Sequence, residues 1–215
     1  MPKSVRFRSL SKELNKLKMQ FLPKTSPIGS YTDRQLARTI AYRVLAHAEI
    51  EAYLEERSWN VVLEAKKKWD ELGKSSRVLI CLIAFSGQTM EAPPNTLNPT
   101  KANKVIPPER IKINKKIELA INSFNHVIKQ NHGVKEGNIL SLLLPIGIDC
   151  DDLDSTLLAT MNTFGENRGS AAHSSATSYR TIQAPDPATE LATVNQILDG
   201  LALIDELINT LMSKK

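Results

Sequence analysis

Cysteine, aromatic residues and long apolar runs are all scarce in this chain, and each scarcity closes a class of structure. Two cysteines in 215 residues, Cys81 and Cys150, cannot build a zinc site or a disulfide framework on their own. Both stand in apolar stretches, so buried free thiols in a reducing compartment are expected. Aromatic residues make up 5%, too few for an all-β sandwich, whose strands are crowded with aromatic and β-branched side chains. Nine glycines and eleven prolines exclude a collagenous or low-complexity chain. The longest near-continuous apolar run, Ile139 to Ile148, contains Ser141, Pro145 and Gly147 and falls far short of the ~20 residues a membrane-spanning helix needs. The first 22 residues hold no apolar core of a secretory signal, and the expected location is cytoplasmic. What remains, 41% apolar and 24% charged residues, is ordinary for a globular protein of one domain or at most two small ones.

The net charge of +5 is unevenly spread: +6 over residues 1–24, zero over 25–100, +6 over 101–135 and −7 over 136–215. Two basic segments fit a polyanionic partner, and they fit a solvated tail and a solvated loop as well, since charge balance bears on association and solubility rather than on fold.

Hydrophobic spacing at three- to four-residue steps recurs along most of the chain. Residues 1–30 read as a basic N-terminal extension containing a short amphipathic helix, docked or frayed, with Val5, Leu10, Leu14, Leu17 and Phe21 on one face. Thr32 followed by Gln35 is a capping box. The helix it opens reaches at least Arg57, or continues past Trp69 to Gly73, a residue type suited to helix ends. Val78 to Phe85 reads as a short helix. Residues 86–110 hold five prolines and form a long loop. Ile113 to Ile128 is a helix ended by Asn131-His132-Gly133, and Ile139 to Leu144 is a short one stopped at Pro145. Asp151, Asp152 and Asp154 offer capping oxygens and favourable charge at a helix start, which explains them better than a metal site. That helix runs through Leu157, Met161 and Phe164 towards His173. A Ser/Thr-rich loop follows, and Asp186-Pro187 opens the last helix. The expected fold is all-α, an antiparallel bundle of about five main helices in a single domain spanning 31–212.

No phosphate-binding glycine loop, His-Glu-x-x-His or Cys-x-x-Cys is present, so no metal and no cofactor are expected. One segment, Phe164 to Ser175, does carry chemistry. It sets a permanent cation, Arg168, and a titratable imidazole, His173, among the small residues Gly169, Ala171 and Ala172 and several hydroxyls. A guanidinium clamps phosphate through two parallel bonds, and an imidazole moves protons near neutral pH. Cleavage of a phosphodiester by its own ribose 2′-hydroxyl needs both. Five residues at ~100° each separate the two side chains by about 140° around a straight helix, so one copy does not focus them on one atom, whereas a two-fold dimer would. The structural alternative is that Arg168 pairs with a neighbour such as Glu166 and that His173 caps the helix end.

Arginine, four residues, then histidine late in an all-α domain resembles the HEPN superfamily. The wording Phe164-Gly165…Arg168-Gly169…Ala172-His173 is similar to its RiboL-PSP-type branch, as is the helix Ala41-Tyr42-Arg43-Val44-Leu45-Ala46-His47-Ala48-Glu49-Ile50-Glu51-Ala52-Tyr53-Leu54-Glu55. The resemblance covers roughly residues 30–175. It implies a metal-independent endoribonuclease acting as a homodimer, in a defence or toxin system with a possible antitoxin or defence-system partner. Carried over residue by residue, Arg168 is the phosphate and transition-state stabiliser and His173 the general acid/base. Asn167, Ser170 and Ser174 are possible RNA contacts, and His47 and Glu49 are either site residues or residues of the bundle face. Many active members carry a polar residue directly after the arginine, where this chain has Gly169. The competing implication is a non-catalytic RNA- or nucleotide-binding or dimerisation module. A third reading is a plain helical scaffold.

Overall fold

A computed structural model of the protein describes residues 2–26, 29–89, 96, 112–173 and 185–213. Among them are seven α-helices and no strand: α1 (Val5–Phe21), α2 (Asp33–Leu72), α3 (Arg77–Phe85), α4 (Ile113–Lys129), α5 (Glu136–Leu143), α6 (Ser155–His173) and α7 (Pro187–Ser213). A 3-10 turn, Cys150–Asp152, precedes α6. Five helices are long and two short, the all-α bundle expected. No described helix is long and apolar enough to cross a membrane.

Helix α2 is the spine. Its start is fixed by the Thr32 hydroxyl, which accepts from the Gln35 amide, while the Gln35 side chain accepts from the Thr32 amide. It takes the longer of the two expected lengths and ends at Gly73, in the left-handed conformation (φ 63°) that glycine adopts without strain. Its 40 residues span about 60 Å, long enough for α1, α6 and α7 to lie along it.

Helix α1 is docked, not frayed. Phe7, Leu10 and Leu14 enter the core. Arg6, at the start of α1, pairs with Glu56 just past the middle of α2, and Arg38, near the start of α2, donates to the carbonyl of Gln20 at the end of α1, so α1 runs antiparallel to α2. Helix α7 runs parallel to α2, because buried Arg43 pairs with Glu190 and buried Arg57 with Asp205. Asp205 also joins α1 to the pair: Ser4 donates to it through its amide (2.7 Å) and hydroxyl (2.6 Å), and Tyr53 through its hydroxyl (3.0 Å). Burial pushes the Asp205 carboxyl up, but the Ser4 bonds and the Arg57 charge outweigh it and hold the group below the usual carboxylate range.

The helix starts follow the sequence closely. The Asp186 carboxylate accepts from the Thr189 amide, with Pro187 in the first turn of α7. Asp154 accepts from the Thr156 amide ahead of α6, but Asp151 and Asp152 fall in the 3-10 turn. Helix α5 starts three residues before Ile139, at Glu136, because its first turn is polar and gives no apolar signal. The expectation of two buried thiols fails: Cys81 is half-buried and Cys150 exposed, since the 3-10 turn carrying Cys150 rides on the surface while Ile146 and Ile148 fill the core. Most of the 86–110 loop and residues 174–184 lie outside the described residues.

Helices α6 and α7 meet at Gly200. A Cβ there would stand 2.5 Å from Leu157 Cδ1, a buried atom with little room to move. Gly200→Ala is therefore expected to destabilise the fold by about 1–3 kcal/mol through overpacking, despite alanine's better helix propensity. Urea unfolding measures it, and pairing the change with Leu157→Ala should recover part of the loss that each causes alone.

Candidate functional site

The arginine singled out by the sequence lies near the end of α6, which runs unbroken from Ser155 through His173. Arg168 and His173 therefore sit on one continuous helix, five residues apart. The side chain of His173 and all of Ser174 lie outside the described residues.

Arg168 is half-buried. Its Nε is fully buried and has no hydrogen-bond partner. Glu166, the neighbour named in the structural alternative, instead accepts from Asn162 Nδ2 (3.1 Å) and lies 3.9 Å from Lys135 Nζ. That contrasts with Arg43 one layer away, whose guanidinium forks onto both oxygens of Glu190, with Nε to Oε2 at 2.9 Å. One arginine is spent on holding helices together. Arg168 makes no such fork, and its Nε is left without an acceptor.

His47 of α2 faces this part of α6. It is 1% exposed, and its ring stacks on Phe164 with centroids 5.8 Å apart and planes at 29°. Burial and then the positive charge of Arg168 lower its pKa to about 4, so it is neutral at physiological pH. Its Nδ1 lies 3.4 Å from Glu51 Oε2 but off the line of a hydrogen bond. Closed to water and uncharged, His47 fits a packing role beneath the site better than a proton shuttle. Glu49 is half-buried, two residues and so about 200° around the helix from His47, and it does not join this cluster.

Glu51 does join it, one turn beyond His47. Burial and the negative charge of Glu55 raise its pKa, against the opposing charges of Arg168 and His132. Sequence reading passed over Glu51. The signal available was the spacing His47, Glu51, Glu55, which places three polar groups on one stripe of α2.

The three possible RNA contacts divide. Asn167 lines a cleft of about 640 Å³ between α6 and α7, together with Phe164, Thr163, Thr189 and the Arg43–Glu190 pair. Its carbonyl stands 3.5 Å from Arg43 Nη1. Ser170 is exposed. Asn167 and Arg168 thus serve neighbouring faces of α6, the first towards α7 and the second towards Glu51. Gly169 has nothing within 4 Å of where a Cβ would be, so packing does not require glycine there. No group of three metal-ligating side chains occurs among the described residues.

The His47 environment has a measurable consequence. Its folded pKa lies below the ordinary 6.5, so between those values the unfolded chain binds more protons. Stability therefore falls as pH drops from neutrality towards 4. At about 1.4 kcal/mol per pKa unit, the His47 contribution to that loss is on the order of 2–3 kcal/mol. His47→Phe keeps a ring against Phe164 and removes the titration. Its unfolding free energy should depend less on pH over this window than that of the wild type, and equal dependence would contradict the assignment.

The profile of the RiboL-PSP-HEPN family matches residues 6–213. No curated protein and no solved structure matches the chain significantly. The match takes in α1 through α7, including the α2 stripe and the Arg168 turn, and the chain belongs to the RiboL-PSP-HEPN family, with a HEPN-type all-α domain.

Proposed function

We propose that this protein is a metal-independent endoribonuclease of HEPN type that cleaves RNA by attack of the ribose 2′-hydroxyl. Family membership supports an RNA-related domain in general. The observation that carries the finer reading is Arg168, a half-buried guanidinium with a fully buried, unpartnered Nε on the helix that ends at His173. An unpaired guanidinium is a receptor for a non-bridging phosphate oxygen, and it stabilises the extra negative charge that builds on phosphorus as the 2′ oxygen adds. His173 takes the 2′-hydroxyl proton. The 2′ oxygen bonds to phosphorus, the bond to the 5′ oxygen breaks, and a 2′,3′-cyclic phosphate is left.

The active species in this proposal is a homodimer. Arg168 and His173 diverge by about 140° around α6, so an isologous interface that sets each Arg168 beside the partner subunit's motif gathers the groups one copy holds apart. Gly169, with open space around it, suits a close approach. The setting proposed is a cytoplasmic defence or toxin system with a cognate antitoxin or defence partner. One observation favours a second reading, a non-catalytic RNA-binding module: the position after Arg168 has room for a side chain and holds none, so the polar group found there in many active members is missing without a packing reason.

Wild-type protein with a mixed RNA substrate and a chelator should yield fragments ending in 2′,3′-cyclic phosphate. His173→Ala should lose about 10²–10⁴ in rate while retaining RNA affinity. Arg168→Lys should also fail, because an ammonium does not reproduce the guanidinium fork. Activity that survives His173→Ala, or that the chelator abolishes, removes the assignment. Sedimentation as a monomer at high micromolar concentration with RNA present removes the composite site.

A further inference from the structure

The turn between α4 and α5 is built into the same corner as Arg168. Asn131 is 7% exposed. Its Nδ2 donates to Glu55 Oε1 of α2 at 2.7 Å and to the Gly133 carbonyl at 3.1 Å, and its Oδ1 accepts from Asn138 Nδ2 at 2.9 Å. On its other side the turn meets α6 at Gly165, where a Cβ would stand 2.9 Å from Lys135 Cγ and 3.6 Å from the Lys135 amide nitrogen. Residues 131–135 are thus wedged between α2 and α6. The turn is pinned to α2 one helical turn from Glu51, and it meets α6 three residues before Arg168.

His132 rides on this turn and is exposed. With the turn held to Glu55 on α2 and packed against Gly165 of α6, the backbone brings an accessible imidazole to the corner where α2 carries Glu51 and α6 carries Arg168. Of the other two histidines with described side chains, His47 is sealed beneath Phe164, and exposed His126 lies in the last turn of α4, outside the 131–135 turn that these contacts place at the corner. A proton donor must reach both substrate and water, and among the histidines with described side chains His132 is the exposed one that this turn carries.

We propose that His132 is a substrate-facing residue of the Arg168 site and donates the proton taken up by the departing 5′ oxygen. The inference rests on the endoribonuclease reading and adds the second half of its proton balance. As the 2′ oxygen bonds to phosphorus its proton passes to His173. As the phosphorus–5′ oxygen bond breaks, the imidazolium N–H of His132 breaks and an O–H bond forms on the leaving group. Glu51 is the positioning carboxylate between His132 and Arg168. Each reacting phosphodiester then meets an arginine and its acid within one protomer.

Cleavage of an RNA oligonucleotide is compared with cleavage of the same oligonucleotide carrying sulfur in place of the scissile 5′ oxygen, a thiolate leaving group that departs without a proton. On ordinary RNA, His132→Ala should lose about 10²–10⁴ in rate, and on the sulfur substrate most of that loss should vanish. His132 is exposed, so the variant should keep the wild-type urea midpoint, and His132→Gln provides a second variant with the same expected pattern. A wild-type rate for His132→Ala on ordinary RNA, or equal losses on both substrates, overturns the inference while leaving the endoribonuclease reading in place. A wild type that cleaves neither substrate overturns that reading, and the inference with it.

Discussion

Two buried ion pairs between α2 and α7 set the geometry on which everything else depends. Arg43 meets Glu190, and Arg57 meets Asp205. The members are 14 residues apart on α2 and 15 apart on α7, so the two helices run parallel and in register over about 21 Å. Burying four charges is costly, and a hydrophobic replacement of a pair is often no less stable. Removing one partner, by contrast, strands a charge at about 3–5 kcal/mol. The pairs therefore act as a register lock. A slip of α7 by one residue would separate both. With α7 fixed, Leu157 closing on Gly200 fixes α6, and α6 then presents Phe164 to His47 and Arg168 towards Glu51.

That lock separates two arginines of different use. Arg43 has its fork filled by Glu190, and it stiffens the floor of the α6–α7 cleft. Arg168 lies near the stripe formed by His47 and Glu51 with its Nε unpartnered. A buried donor without an acceptor is a cost the fold carries. The proposed function calls on the rest of this half-buried guanidinium to meet phosphate, and leaves the buried Nε as part of that cost. The neutral state of His47 fits this arrangement: a second positive charge beneath Arg168 would repel it, and burial keeps the imidazole uncharged.

Local chemistry in the sequence was enough to read most helix boundaries. The Thr32 and Gln35 capping box, Gly73 at the end of α2 and Asp186-Pro187 at the start of α7 all act through neighbours within four residues. The proposed Arg168 and His173 pair is likewise a local signal, a spacing on one helix. What escaped depends on contacts between distant segments. Nothing near Glu190 in the sequence says that it faces Arg43, 147 residues away. Glu51 looks like any helix glutamate until Arg168 and His132 are brought to it. Asn167 and Ser170 read as one group with Arg168 in sequence, yet the helical turn sends Asn167 to the α7 side. Cys150 follows an apolar run, but that run ends in a surface turn, and its alternation of core and solvent was not visible from hydrophobicity alone.

The central claim is that the Arg168 guanidinium is held open for an RNA phosphate. The most direct measurement is the affinity of wild type and Arg168→Ala for a 2′-O-methyl RNA oligonucleotide, which binds without being cut, titrated at several salt concentrations. If Arg168 holds a phosphate, the variant should bind more weakly. Its log affinity should also fall less steeply with log salt, by about 0.7 for the single phosphate that the alanine leaves unneutralised on a single strand. Equal affinity and equal slope for the two proteins would show that the open guanidinium does not bind RNA, and would contradict the account.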